Sequence, residues 1–162
     1  MSSECDKVNR KCIFCKISSN CIANGDPVCE SNSNGNRKQN RILHSDEKFF
    51  VVEDIRPHAK RHFLVIPHKH VGNPKLLKKD DIPLVKKMRD VGEIVLKEKE
   101  NLDSFEDVQF GFHWPPFNSI EHLHLHILYP YSQMSWLSKK VIFNPSFVFS
   151  TFEWYLNYLE DR

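Results

Sequence analysis

The sharpest alternation in the chain is His122-Leu123-His124-Leu125-His126-Ile127-Leu128. A strand sends successive side chains to opposite faces, so this segment read as a strand puts three imidazoles on one face and Leu123, Leu125 and Ile127 on the other. Two further apolar runs, Phe49-Phe50-Val51-Val52 and His62-Phe63-Leu64-Val65-Ile66, are rich in β-branched and aromatic residues. The breaker segment Asp54-Ile55-Arg56-Pro57-His58 separates them, which predicts two adjacent antiparallel strands. A fourth strand is predicted at Val108-Gln109-Phe110-Gly111-Phe112-His113, joined to the histidine run through the Pro115-Pro116 turn. Between these pairs the period changes. Leu84, Met88, Val91 and Val95 recur at i, i+4, i+7 and i+11 behind Asp80, Asp81 and Pro83, the signature of a capped amphipathic helix of roughly 18 residues, about 27 Å long. Phe147 to Leu159 is aromatic-rich and predicts a short closing helix.

The expected fold is therefore α+β: an antiparallel sheet of about five strands, one long amphipathic helix and a short C-terminal helix. A chain of 162 residues suits one domain. That domain is expected over residues 12–162, behind a flexible N-terminus at 1–11. Within it, residues 18–40 are almost wholly polar, from Ser18-Ser19-Asn20 to Asn34-Gly35-Asn36, and predict a long mobile loop.

Charge and cysteines narrow the classes of function. A formal net charge of +2 supplies no general field for gathering nucleic acid or an anionic membrane, and no nucleic-acid or membrane partner is expected. The Lys and Arg side chains between Lys75 and Arg89 are interleaved with Asp80 and Asp81 and read as a solvated helix face. The N-terminal residues lack the basic and apolar regions of a secretory signal, and no apolar run is long enough to span a bilayer. A cytoplasmic location is expected, with the nucleus as a second. The five cysteines (Cys5, Cys12, Cys15, Cys21, Cys29) crowd into the first thirty residues, which fits reduced thiols or a metal site better than a disulfide framework.

A row of imidazoles costs more to desolvate than the leucines opposite and titrates near neutral pH, so it calls for phosphate, carboxylate, metal or water beside it. A neutral imidazole is a good nucleophile toward phosphorus. His124, the middle of the row, has a histidine on either side along the same face, and is the candidate nucleophile.

The segment His122 to Leu128 matches at every position the His-φ-His-φ-His-φ-φ signature of the histidine triad (HIT) superfamily, where φ is apolar. Asp54-Ile55-Arg56-Pro57 with His62-Phe63-Leu64-Val65-Ile66-Pro67-His68-Lys69-His70 resembles a second block of that family, and Cys12-Ile13-Phe14-Cys15-Lys16-Ile17 resembles its N-terminal segment. Three blocks in order cover most of residues 12 to 130.

The resemblance implies a hydrolase that cleaves the P–N bond of adenosine or other purine 5′-monophosphoramidates, through a nucleotidyl intermediate on His124 that water then releases as the monophosphate. It implies phosphate-side roles for Ser119, Asn118 and His126, and places His62 and His122 in the same catalytic network. It makes Asp54 the acceptor for the ribose hydroxyls, with Ile55, Ile13 and Phe14 as walls of the base pocket. It gives Cys12, Cys15, His70 and His122 as ligands of a structural Zn²⁺, with no cofactor required for the chemistry, and it implies a homodimer. The expected partners are purine nucleoside monophosphates and phosphoramidates. Trp114-Pro115-Pro116-Phe117 replaces the Gly-rich approach of the smaller family members, which leaves the leaving group open.

Two other classes compete: a catalytic metal centre on His122, His124 and His126, and a nucleotide-binding adaptor with little turnover. Plainer readings also stand beside individual residues. Asp54 fits a turn acceptor, Ser119 a strand-entry cap, and Ile13 and Phe14 core packing. His44, His58, His68 and His113 read as surface or packing residues, and Glu121 by alternation points away from the row.

Overall fold

The computed structural model describes residues 11–24, 41–144 and 148–162. The element order is helix α1 (Ile13–Asn24), strands β1 (Ile42–Ser45), β2 (Phe49–Glu53) and β3 (Arg61–Pro67), helix α2 (Ile82–Glu100), strands β4 (Gln109–His113), β5 (Leu125–Tyr129) and β6 (Phe149–Thr151), and helix α3 (Phe152–Glu160). All strand pairings are antiparallel, in one six-stranded sheet of order β1-β2-β3-β5-β4-β6.

Alternation along the strands sorts the residues onto two faces. Phe49, Val51, Phe63, Val65, Phe110, Phe112, Leu125 and Ile127 face one way and form the main core with Val85, Met88, Val91, Val95 and Leu96 of α2 and Phe152, Tyr155 and Leu159 of α3. The opposite face carries Phe50, Val52, Leu64 and Ile66 under Cys12, Phe14 and Cys15 at the start of α1. Farther along that face, Leu128, Phe143 and Phe149 form a third apolar cluster. The leucine side of the histidine run is thus core against α2, as the alternation predicts, and the histidine side faces α1 and the segment after β5.

Several expectations are corrected. The sheet has six strands; β1 and β6 are too short to announce themselves, with four and three residues. Residues 18–24 of the predicted polar loop are helical instead, because α1 continues to Asn24. Two of its polar residues are satisfied where they lie: Ser18 shares a 2.7 Å hydrogen bond with His68 Nδ1, and Ser19 Oγ donates to the Cys15 carbonyl at 2.9 Å. The rest of that loop, the N-terminus before Lys11, Cys5, Cys29 and Phe147 lie outside the described residues. The closing helix starts only at Phe152, where the Thr151 hydroxyl accepts from the Trp154 N–H at its N-terminus. Helix α2 has 19 residues, close to expectation, but Asp81 does not cap it through its side chain; that carboxylate accepts from the Lys78 N–H instead. Asn101, at φ 54°, ends it in the left-handed conformation. Among the described residues no helix is long and apolar enough to cross a membrane.

Candidate active site

The histidine run only partly forms a strand. Strand β5 begins at Leu125, and His122 and His124 lie in the extended approach to it. Local bonds take the polar groups there: the Leu123 N–H donates to the Val71 carbonyl at 2.6 Å, and His124 Nδ1 lies 2.6 Å from the His122 carbonyl oxygen. The alternation survives, with Leu123 buried on the core side and Glu121 exposed.

The bond to the His122 carbonyl settles the state of His124. A carbonyl only accepts, so Nδ1 carries the hydrogen and Nε2 of the neutral ring is left with its lone pair. Burial holds the His124 pKa down at about 4, outweighing that bond, which favours the charged form. At neutral pH the ring is therefore an uncharged base with one unprotonated nitrogen, the form in which imidazole attacks phosphorus. The Phe14 ring stands edge-on to it at 5.4 Å between centroids.

His122 has the opposite arrangement. Its Nε2 donates to the Pro67 carbonyl at 2.9 Å, so its Nδ1 lone pair points toward Cys12 Sγ at 3.4 Å, Cys15 Sγ at 3.6 Å and His70 Nδ1 at 3.2 Å. Cys15 Sγ is 3.2 Å from His70 Nδ1. A tetrahedral Zn²⁺ with ordinary bond lengths separates its sulfur and nitrogen ligands by roughly 3.6 Å and two nitrogens by roughly 3.3 Å. The distances from His122 Nδ1 are close to those values, all four expected donors lie within 4.8 Å of one another, and the Pro67 carbonyl fixes the His122 tautomer as an outer-sphere partner does in zinc sites. Burial also lowers the His122 pKa to about 4, which favours the neutral ligand form.

His126 lies at the centre of a second group. Strand β5 is flanked by β3, where Leu64 pairs with His126, and by β4, where Gly111 pairs with it. Two residues farther along each neighbour, on the same face, are His62 and His113. His62 Nε2 is 2.8 Å from His126 Nδ1, and His113 Nδ1 is 2.9 Å from His126 Nε2. Burial is the main cause that lowers all three pKa values, His62 to about 3 and His126 well below the usual range, with neighbouring histidines adding to it. Asp54 joins from the β2–β3 turn, with a carboxylate oxygen 3.6 Å from His62 Nε2 and the other accepting the Arg56 N–H at 2.7 Å; burial raises its pKa.

The remaining predicted residues are less closely tied to the histidines. Ile13 and Ile55 are exposed, whereas Phe14 is fully buried. Ser119 is exposed on the approach to the row, and Asn118 Nδ2 donates to the Ile120 carbonyl at 3.5 Å. The three histidines of the row do not converge on one point. Among the described residues the groupings able to hold a metal are Cys12, Cys15, His70 and His122, and Asp54, His62 and His126. A catalytic metal on His122, His124 and His126 together does not fit this geometry.

Three of the histidines read as surface or packing residues have defined partners. His68 bonds Ser18, His58 Nδ1 lies 3.2 Å from Ser138 Oγ, and His113 bonds His126. The signal for His113 was present in sequence only jointly: an alternation that puts it on the Gly111 face, and a register that puts Gly111 opposite His126.

An attacking-form imidazole in a histidine row, on the outer face of an antiparallel sheet, defines a histidine triad protein. The comparisons with known proteins agree. A family model described as scavenger mRNA decapping enzyme C-term binding matches residues 11–142. The chain is 41% identical over 140 residues, 86% of its own length and 81% of the relative's, to a Xenopus tropicalis protein named adenosine 5′-monophosphoramidase HINT3. It is 41% identical over 121 residues, 74% of its length and 70% of the relative's, to an Arabidopsis thaliana protein named bifunctional adenosine 5′-phosphosulfate phosphorylase/adenylylsulfatase HINT4. Among solved structures, a HIT family hydrolase from Legionella pneumophila superposes with a TM-score of 0.54 at 26% identity, over 77% of this chain and 96% of that one. The chain belongs to the histidine triad family.

Proposed function

We propose that this protein hydrolyses adenosine 5′-monophosphoramidates through a covalent intermediate on His124. The chain is a hydrolase of the histidine triad family, as its relatives are; the substrate and the intermediate are our reading. The observation that carries it is the His124 Nδ1 bond to the His122 carbonyl, which leaves Nε2 unprotonated. In the first step Nε2 forms a bond to the α-phosphorus as the P–N bond breaks, and the departing nitrogen takes up a proton to leave as the amine. Water then attacks the same phosphorus and the His124–phosphorus bond breaks. The monophosphate departs and the proton from water passes to solvent, restoring neutral His124.

Asp54 is proposed to accept the ribose hydroxyls through the carboxylate oxygen that does not bind the Arg56 N–H, with Ile13, Phe14 and Ile55 against the base. Ser119 and Asn118 would donate on the phosphate side. Zn²⁺ on Cys12, Cys15, His70 and His122 would hold α1 to the sheet and take no part in bond making. The homodimer is also a proposal. Strand β6 of the same chain covers the outer edge of β4, so a sheet merged between two copies would join through β1 or β6; light scattering showing twice the chain mass would support it.

The names of the two relatives point to different groups on the adenosine 5′-phosphate, an amine in one and sulfate in the other, so the test uses both. Adenosine 5′-phosphoramidate, an adenosine lysyl-type phosphoramidate and adenosine 5′-phosphosulfate are offered to the wild type and to His124→Ala, and the acid-labile nucleotidyl species is trapped. The expected result is wild-type turnover of the amidates, label on His124, and a loss on the order of 10⁴-fold or more in the variant with nucleotide binding retained. Turnover surviving in His124→Ala would remove the nucleophile assignment, and tight monophosphate binding with no turnover of any compound would favour the adaptor.

A further inference from the structure

The bonds around His126 form a chain with a single allowed direction. At one end the His58 backbone N–H donates to His62 Nδ1 at 3.3 Å. A neutral His62 that accepts at Nδ1 carries its hydrogen on Nε2 and donates it to His126 Nδ1. His126 must then carry its own hydrogen on Nε2, which it donates to His113 Nδ1. His113 in turn carries its hydrogen on Nε2, and that atom lies 3.0 Å from the Ile142 carbonyl oxygen, which can only accept. Working back from the Ile142 end gives the same assignment at every ring. A backbone donor and a backbone acceptor, each able to act in one sense only, therefore fix three imidazole tautomers between them. The depressed pKa values of these rings agree with a chain of neutral rings.

We propose that His113 is a positioning residue of the active site: it accepts the His126 Nε2 hydrogen and so fixes the tautomer and plane of the ring beside His124. The inference rests on the reading of His124 as the attacking group. The His126 and His124 ring centroids are 4.9 Å apart, so any turn of His126 changes the wall of the site at the attacking atom. Without an acceptor at residue 113 the Nε2 hydrogen of His126, in a buried ring, has no partner. Moving the hydrogen to Nδ1 is no remedy, because it would set two donors against each other at the His62 contact of 2.8 Å. The ring must then rotate, or take a water at Nε2 in place of His113. With His113 in place both His126 nitrogens are occupied, so His126 acts in the resting site as a fixed neutral wall rather than as a free phosphate donor.

His113 also packs, with its ring 5.1 Å from that of Phe143 and 5.4 Å from that of Phe149 between centroids. Packing alone and positioning predict opposite orders for two substitutions. Phenylalanine keeps the apolar contacts and removes the acceptor. Asparagine loses much of the ring, and its Oδ1 stands about where Nδ1 stood and still accepts from His126.

The test compares wild type, His113→Phe and His113→Asn by ¹⁵N spectroscopy of the imidazoles in the ligand-free protein and by steady-state kinetics with adenosine 5′-phosphoramidate. The expected result is a single Nε2-protonated tautomer at His126 in wild type and in His113→Asn, and its loss in His113→Phe. Alongside it, kcat should fall about 10-fold or more in His113→Phe with KM changed little, and stay within about 3-fold in His113→Asn. A single Nε2-protonated tautomer retained in His113→Phe, or lost in His113→Asn, would overturn the proposal, as would unchanged kcat in His113→Phe. The spectrum needs no substrate. If the wild type turned over no phosphoramidate, the reading of the reaction would fail while the tautomer result still decided whether His113 fixes His126. Should His113→Phe not fold, His113→Asn carries the decision alone.

Discussion

His70 Nδ1 and His122 Nδ1 face each other across 3.2 Å, with Cys12 Sγ 3.4 Å and Cys15 Sγ 3.6 Å from the His122 atom. The His122 Nδ1 has no hydrogen to offer when the ring is neutral, because its Nε2 serves the Pro67 carbonyl. Four donors at these separations fit a closed tetrahedral Zn²⁺ with no open position for substrate. We therefore expect close to one zinc per chain by elemental analysis. Cys15→Ala should lose it, and the melting temperature should fall by an amount corresponding to about 3 kcal/mol or more. Because His124 is not a ligand, a folded, metal-free protein should retain covalent labelling of His124. Full metal content in Cys15→Ala would count against the site.

Buried neutral histidines make stability depend on pH in a definite sense. The His62 pKa is held down at about 3 by burial, against 6.5 for an ordinary histidine, and His126 is also well below that value. Above pH 6.5 neither the folded nor the unfolded state binds a proton at these groups, and they contribute no slope. Below 6.5 the unfolded chain takes up protons that the folded protein refuses, so stability falls as pH falls, by about 1.4 kcal/mol per pH unit for each such group. His62 alone should supply about 1.4 kcal/mol per unit from pH 6.5 down toward 4, and His126, with the other depressed histidines His113, His122 and His124, steepens the slope in the same sense. Denaturant unfolding at half-unit steps measures it; His62→Gln should reduce the slope by about one proton, and an unchanged slope would place the proton uptake elsewhere.

What the sequence made legible was local. Strands β2, β3 and β4 showed as β-branched and aromatic runs, helix α2 and the two faces of the histidine run as repeats at 3.6 and two positions, His124 as the middle of the row, and the zinc donors through the family resemblance. What it hid was of another kind. Helix α1 has no signature in the sequence, because the polar residues from Ser18 onward resemble a loop, yet Ser18 is buried and bonded to His68, fifty residues away. His113 resembled a strand-end residue, and its role depends on the β4–β5 register that sets Gly111 against His126. Both are pairings across elements, which no single segment encodes.

Gly111 is where that register is vulnerable. It pairs with His126 on one side and with Thr151 on the other, and a Cβ added there would meet the Ser150 carbonyl and the Phe149 ring. The carbonyl belongs to backbone that cannot turn aside as a side chain would, so Gly111→Ala should push β6 away from β4. Overpacking of this kind typically costs 1–3 kcal/mol, roughly. It should also disturb Phe149, which packs against His113, so the variant should lose activity beyond what its stability loss explains. A Gly111→Ala protein with wild-type melting and turnover would show that β6 is not held as closely as this.

One buried hydrogen bond ties α3 to the loop ahead of α2. Tyr155 is fully buried among core residues, and its hydroxyl donates to the Pro74 carbonyl at 2.6 Å. Burial also raises its pKa far above the ordinary tyrosine value, so the group stays a neutral donor at any pH at which the protein is folded. Phenylalanine fills nearly the same volume, which leaves the bond as the main difference. Tyr155→Phe leaves the Pro74 carbonyl with only the longer bond from the Leu77 N–H, at 3.4 Å, and the expected loss is about 0.5–1.5 kcal/mol. The site histidines lie on the far face of the sheet from α3, so kcat for the phosphoramidate should stay near wild type while the denaturation midpoint falls. A fall in kcat at full stability would instead mean that α3 and the active site are coupled through β4 and β6.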